Sequence, residues 1–387
     1  MRWTYLVADV ISGDIIHELP LSGVSFNRTL SGVGDLSGTV QLLGLSLKER
    51  ELVLDGTDPG KRAIYAVYGD RIHWGGMIWP RPYTSRAPLS ISAAQWGSYF
   101  QRRILRRDKT YTAAVDDQLS IVRDLIASAQ SEPGGNVRLA VETDVSGRKR
   151  DRSYLAGDML VIGELIDNLA NVIDGFDYEW GAEWDPVTGK PRGLLRLGYP
   201  TLGSLKASIT IDGGPAGERS ISIDENAAEL AVTSWAVGEP AVTDGPVPVA
   251  SSTDPALIDA GYPLLDKVRT YSSVSVSQTL QDHADADQAA NGGSLIDIRV
   301  TVSLDRILDG AVEIGDRARI IVNDARFPGG YDDTLRITGM RYAPAENTCE
   351  LTMSPRVLLG GRVPVTEDER RRVARLAREV RSLYVTR

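Results

Sequence analysis

The chain has 387 residues, 42% of them hydrophobic and 25% charged, a normal globular composition. Such a length exceeds one ordinary core and implies two to four domains. A formal net charge of −9, from 52 acidic and 43 basic side chains, excludes a protein built chiefly to grip nucleic acid, which needs clustered Lys and Arg.

The one cysteine, Cys349, excludes an intrachain disulfide and Cys-rich zinc sites. It sits in an alternating run and reads as a small buried hydrophobe. The run Met1-Arg2-Trp3-Thr4-Tyr5-Leu6-Val7 reads as a strand that begins at once, not as a signal peptide. No stretch of 18 apolar residues occurs, so no membrane span is expected, and the chain is expected to be soluble and made in the cytoplasm.

The first hundred residues read as β. Val24, Phe26, Arg28 and Leu30 share one face, with Ser25, Asn27 and Thr29 on the other. Gly32-Val33-Gly34-Asp35 reads as a turn before a strand from Leu36 to Leu42. The clearest hairpin runs up Arg62 to Tyr68, turns at Gly69-Asp70, and returns along Arg71 to Trp79. Pro80 and Pro82 end that ladder, and Leu89 to Trp96 supplies another strand.

From about residue 106 the period becomes helical. Val115, Leu119, Val122 and Ile126 form a stripe, with Asp116 and Asp117 in the first turn and a stop at Glu132-Pro133-Gly134-Gly135. A second helix is expected from about Asp158 to Ile173, striped by Val161, Leu165, Leu169 and Val172. Strands from Phe176 to Trp180 and Arg192 to Leu197 complete a small mixed α/β unit. Residues 212–254 read as connecting strands and a long surface loop, particularly Gly238 to Thr253. Then come a strand with Val274 and Val276, a helix from Thr279 to Ala290, and β structure to about Pro355, including Ile296 to Val302 and Arg317 to Val322.

A faint repeat links the two β regions: Arg62-Ala63, Val67 and Gly76-Met77-Ile78-Trp79 match Arg317-Ala318, Val322 and Gly339-Met340-Arg341-Tyr342. Near the C-terminus, Thr366 and Glu369 form a capping box. Val373, Leu376, Val380 and Leu383 then fall at a, d, a, d of a heptad, and seven arginines cover the other faces. Two heptads are short for a coiled coil. The stripe is a candidate for self-association or for packing on the chain's own surface.

No reactive constellation appears. His17, His73 and His283 lack partners at metal-ligand spacing, and there is no G-x-S-x-G elbow or Walker A lysine. Gly32-Val33-Gly34 is followed by Gly38, one position too late for a dinucleotide loop. Asp116-Asp117 and Asp332-Asp333 are sequence neighbours, which does not place two carboxylates across a sugar ring. Trp74, Trp79, Trp180 and Trp235 lie in expected strands as core or subunit contacts. No catalytic, cofactor or metal residue is expected, and the chain reads as a non-enzyme.

The order of segments carries a resemblance. Gly69-Asp70-Arg71-Ile72-His73-Trp74-Gly75-Gly76-Met77-Ile78-Trp79 resembles the D-R-x-x-W-G-G-x-I-W hairpin of minor tail proteins from long-tailed phages of actinobacteria. Arg152-Ser153-Tyr154, Leu160 to Asn171 and Asp174-Gly175-Phe176-Asp177 resemble the helix and strand of their inserted domain. Leu197-Gly198-Tyr199-Pro200 and Leu202-Gly203 resemble its exit, and Tyr262-Pro263-Leu264-Leu265 and Ile314-Gly315-Asp316 resemble the second barrel. The resemblance covers about residues 1–358 and marks Gly69, Asp70, Arg71, Trp74, Gly75, Gly76 and Trp79 as family-motif residues.

It implies a tail-tip hub, similar to baseplate hubs of contractile phages, located in the virion. Such a hub is a homotrimer whose six barrels fit a threefold tip to a sixfold tube. Its partners would be the distal tail protein ring, the tape measure protein and other minor tail or receptor-binding proteins. DNA would pass without specific binding through an electronegative lumen, and receptor binding or lysis would fall to other proteins. The expected fold is α+β: a first β-barrel (1–105), an inserted α/β domain (106–204), connecting strands and a long loop (205–262), a second β-barrel (263–358), and a linker with a C-terminal helix (359–387). The alternatives from other classes are a tail-associated glycan hydrolase and a carbohydrate-binding adhesin.

Overall fold

The computed structural model describes residues 2–354, except 86, 173, 213–220, 227, 229, 241–244, 272–276, 292–294, 309 and 323–330. Strand Trp3–Asp9 carries Ile15–Glu18 on one edge and Arg62–Tyr68 on the other. Arg62–Tyr68 and Arg71–Ile78 form the expected hairpin, with Tyr68 facing Arg71 and Gly69 at φ 59°. Pairing continues through Leu89–Gln95 and Asp35–Val40 to Ser22–Thr29.

There the sheet passes to the far end of the chain. Ser22–Thr29 pairs with Tyr331–Ala343, followed by Thr348–Ser354, Leu295–Ser303 and Ile221–Asn226. Arg317–Val322 branches from Tyr331–Ala343 and pairs with Leu205–Asp212, giving one 13-stranded sheet. The architecture is α+β, as expected, but the sheet is not closed into two barrels. The reason lies in Tyr331–Ala343, whose 13 residues outrun a single neighbour. On one edge its residues 331–336 face Arg317–Val322, and Gly339 to Tyr342 then face Ser22–Thr29. A register shift between Ile337 and Gly339 lies at the changeover.

Two cores follow from period-2 alternation. Ile64, Ala66, Trp74 and Ile78 point to a core shared with Phe26, Ile298, Ile337, Tyr342 and Leu351. Tyr65, Val67, Ile72 and Met77 point the opposite way, into a core with Phe100, Leu119, Val122, Leu165 and Trp180. The hairpin is therefore buried on both sides, and its strands read as near-continuous apolar runs.

The insert contains helix Gln118–Gln130. Asp117 is its N-cap, accepting from Leu119 N at 2.9 Å, so the stripe is Leu119, Val122, Leu125 and Ile126, while Val115 stays outside and exposed. The second helix is Ile162–Ala170, shorter than expected because Ala156–Asp158 forms a 3-10 turn that ends at left-handed Met159. Ile173 lies outside the described residues. Strands Asp177–Trp184 and Pro191–Gly198 pair as expected, with Ala140–Val141 added in parallel.

Two features escaped the sequence reading. Helix Leu47–Gly56 has a capping box from Ser46 and Glu49, but it buries only Val53 and Gly56, so no apolar period announces it. A small module places Thr233–Val237 between Val249–Thr253 and Asp266–Thr270, and the helix expected from Thr279 to Ala290, here Ser277–Asn291, lies on one face of it. The expected loop from Gly238 to Thr253 thus ends in a strand, and Val274 and Val276 lie outside the described residues. In the faint repeat, both copies are antiparallel pairs, yet Ala63 faces Met77 whereas Ala318 faces Leu335 and not Met340. Cys349 is fully buried, and among the described residues no helix is long and apolar enough to cross a membrane.

A Cβ at Gly76 would overlap the Ala94 backbone of the neighbouring strand. Gly76→Ala is expected to lower unfolding stability by about 1–3 kcal/mol in urea titrations, the cost of overpacking. Gly157→Ala, in open space, should stay within about 0.5 kcal/mol of the parent.

Candidate functional site

In strand Ser22–Thr29 the inward positions are Val24, Phe26 and Arg28, so a guanidinium stands where an apolar side chain belongs. Arg28 is 7% exposed. Its Nε donates to Glu179 Oε1 at 2.7 Å, its Nη2 to Glu313 Oε2 at 2.5 Å, and its Nη1 to the Tyr342 hydroxyl at 3.5 Å. Glu179 lies on Asp177–Trp184, and its second oxygen accepts from Arg196 Nη1 of the adjacent strand at 2.9 Å. Glu313 also accepts from Arg71, the first residue after the hairpin turn. One ionic cluster thus ties the first strands, the insert and the last strands together.

A second buried pair reinforces it. Arg336 and Asp177 are ion-paired with side chains 4% and 1% exposed. Arg336 also donates to the Gly315 carbonyl at 3.1 Å and the Leu202 carbonyl at 2.8 Å, while Asp177 accepts from Leu202 N at 2.9 Å. Asp316 accepts from Glu313 N and Ser204 N, each at 2.8 Å, which holds the insert's exit against the loop that carries Glu313.

The electrostatics follow from this crowding. Burial would raise the Glu313 pKa, but Arg28, Arg71 and Arg196 outweigh it and hold the carboxyl at about 2. Burial likewise opposes charge on Arg28, and Glu179 and Glu313 more than restore it. His73 is the extra residue of a bulge, since Ala66 faces Trp74 while Val67 faces Ile72. Its ring packs against Trp3 at 5.3 Å and Tyr342 at 6.2 Å, and its buried Nε2 has no hydrogen-bond partner among the described residues. Burial, followed by Arg28 and Arg71, lowers its pKa to about 4. A cavity of about 530 Å³ opens beside the cluster, walled by Arg71, His73, Ala182, Trp184, Arg196 and Glu313.

A carboxylate gripped by three guanidinium groups is a poor proton donor, and a histidine neutral well below pH 7 lacks the poised pKa of a general acid–base. The cluster can fix relative positions; it is a lock between modules. Among the described residues, no group of three or more His, Cys, Asp or Glu could hold a metal ion.

The family-motif residues fall around this lock. The Asp70 carbonyl accepts from Trp184 Nε1 at 2.9 Å, and Arg71 reaches Glu313. Trp74 is fully buried and donates to the Asn27 carbonyl at 2.9 Å. Gly75 lets the insert approach, since a Cβ there would lie 2.6 Å from that of Ala182. Trp79 stands apart, donating to Ser98 Oγ at 2.8 Å under the Arg102 guanidinium, 4.0 Å above its ring. Asp116 and Asp117 serve a turn and a helix cap. Trp180 is core, whereas Trp235 is 37% exposed. Val373, Leu376, Val380 and Leu383 lie outside the described residues.

Sequence reasoning missed Glu179, Glu313, Arg196, Asp177 and Arg336 as one site. The available signal was Arg28 on an otherwise apolar strand face.

No protein-family model and no curated protein matches the sequence. The fold itself is shared with solved prophage tail proteins. The chain is similar to the 43 kDa tail protein of prophage MuSo2 from Shewanella oneidensis, with TM-score 0.57, 11% identity, and 91% of this chain and 98% of that chain covered. It is also similar to prophage tail protein gp18 from Listeria monocytogenes (TM-score 0.52, 12% identity, coverage 96% and 99%). A tail protein from Neisseria meningitidis matches with TM-score 0.52, 13% identity, and coverage of 94% and 99%.

Two predictions follow from the lock. Asp177→Ala leaves the Arg336 charge buried and uncompensated and should cost about 3–5 kcal/mol, measured by chemical denaturation. Arg336→Met combined with Asp177→Leu should recover at least half of that loss. For His73, the folded pKa near 4 lies below the ordinary 6.5, so the unfolded chain takes up the proton first. Its contribution is complete above about pH 6.5 and falls by on the order of 3 kcal/mol as pH drops to 4. Glu313 adds a lower window, from about 4.5 to 2. In stability measured against pH, His73→Phe should abolish the upper window and keep the lower one.

Proposed function

We propose that this chain is a non-enzymatic structural subunit of a phage tail, acting as the trimeric hub that closes the distal end of the tail tube. The observation that carries the reading is the end-to-end correspondence with three tail proteins, over 91–96% of this chain and 98–99% of theirs, at only 11–13% identity. At such identity what persists is the fold over nearly the whole chain, as a building block requires. The chemistry of the junction supports this: Glu313 is held ionised, whereas a glycosidase needs a carboxyl acid with a raised pKa.

In this reading each chain supplies two related sheet modules, divided as residues 1–105, 106–204, 205–262, 263–358 and 359–387, with the small sheet-and-helix unit of residues 230–291 spanning the 262/263 boundary. Three chains match a threefold tip to a sixfold tube. The hub sits at the tail tip of the virion, in a long-tailed phage of actinobacteria as the Gly69–Trp79 hairpin suggests. It contacts the distal tail protein ring, the tape measure protein and other minor tail or receptor-binding proteins. DNA passes without specific binding, which the net charge of −9 on every copy favours.

Mass photometry and sedimentation of the purified chain should give a three-chain species at micromolar concentration. A single-chain mass up to tens of micromolar would contradict the trimer. Clearing of host peptidoglycan by the chain alone would contradict the non-enzymatic assignment.

A further inference from the structure

The small module of residues 230–291 has one covered face and, among the described residues, one bare face. Helix Ser277–Asn291 covers the first, packing Leu280 and Ala284 against Ala236 and Ala250, with Arg269 paired to Asp287 and Gln281 donating to the Ser251 carbonyl. On the opposite face, Trp235 stands beside Val268 and Val237 beside Val249 across the ladders. Trp235, Val249 and Val268 are 37%, 54% and 65% exposed. The Trp235 Nε1 donates to Asp266 Oδ1 at 2.8 Å, so an acidic group shares that face. A contiguous exposed apolar surface of this kind marks a contact site.

We infer that this face is the docking site of the chain's own C-terminal segment, residues 366–387. The first support is charge. Residues 230–291 carry eight acidic and two basic side chains, a net −6, whereas the segment 366–387 carries seven arginines, all within residues 370–387, against Glu367, Asp368, Glu369 and Glu379, a net +3. Two thirds of the chain's net negative charge is thus concentrated in one small module. The second support is pattern. Val373, Leu376, Val380 and Leu383 would line about 15 Å of a helix. The bare face is three strands across, about 10 Å between its outer strands.

The third support is the point of departure. Thr348–Ser354 pairs with Leu295–Ser303, placing Met353 opposite Ile298, and Ile221–Asn226 pairs with the other edge of that strand, placing Asn226 opposite Leu295. The chain therefore leaves the sheet at the end where the small module begins and finishes. Residues 355–365 can span up to about 36 Å when extended. Docking covers the apolar face and sets arginines against Asp266, so the attraction should weaken with salt. The assignment does not rest on the tail reading.

Amide hydrogen exchange of the full chain tests it, comparing the parent with Val268→Asp and Leu376→Asp. In the parent, peptides covering 233–237, 266–270 and 370–384 should exchange at least tenfold more slowly than in either variant. Each single change should deprotect both surfaces. Peptides from Tyr331–Ala343 and Thr348–Ser354 should keep their rates, which separates undocking from misfolding. The milder Val268→Ala should lose protection in part. Tail peptides exchanging like free chain in the parent would overturn the proposal. So would tail protection that survives Val268→Asp, since the stripe would then sit elsewhere. Protection that disappears on dilution would assign the face to a second copy, which also overturns docking within one chain.

Discussion

The buried salt-bridge cluster centred on Arg28 is the constraint on which the remaining architecture depends. Arg28 reaches partners 151 and 285 residues away, in the insert and in the loop before the last strands. Burying such charges is costly, and an apolar replacement of similar shape can be equally stable. What the cluster contributes is uniqueness: if Ser22–Thr29 slipped by one residue, Arg28 would turn to the other face, and Glu179 and Glu313 would keep only Arg196 and Arg71 as counter-charges. The Arg336–Asp177 pair applies the same rule a short distance away. Together they give the three modules one relative placement.

The sheet is continuous for a related reason. A long strand, Tyr331–Ala343, serves two neighbours along one edge and brings the last strands against the first. Phe26 and Tyr342, whose rings stack at 4.6 Å, seal that junction with apolar area, directly beside Arg28. On the other face, the glycines of the Trp74-Gly75-Gly76 run remove side chains where Ala182 and Ala94 press close. A residue with a Cβ would push the insert or the neighbouring strand away. The motif is accordingly a feature of assembly within the chain, and its prominence needs no ligand.

Buried ion pairs between modules oppose their movement against one another. Ionisable groups at the junction are pinned away from proton transfer near pH 7, with Glu313 ionised and His73 neutral. The small module stands outside this lock, with its own minor core and a bare apolar face.

Local pattern was legible in the amino-acid order. Alternation located the Arg62–Tyr68 and Arg71–Ile78 hairpin, strands Leu295–Ser303 and Arg317–Val322, and the burial of Cys349, because period 2 and turn residues act over a few positions. Helix Leu47–Gly56 was hidden, since a helix that buries only two residues leaves no stripe. Asp117 was legible as helix-starting, but its role as a hydrogen-bonding cap needed coordinates. The junction was not legible, apart from the lone sign of Arg28 on an apolar face. Its members, from Arg28 to Arg336, are scattered through the chain and share no spacing. The sequence alone determined the strongly periodic elements, the acidic balance and the lack of a recognised reactive motif. Only tertiary structure decided that two strand groups merge into one sheet and that distant charges meet, because pairing and ionic contact depend on three-dimensional proximity, which local order does not encode.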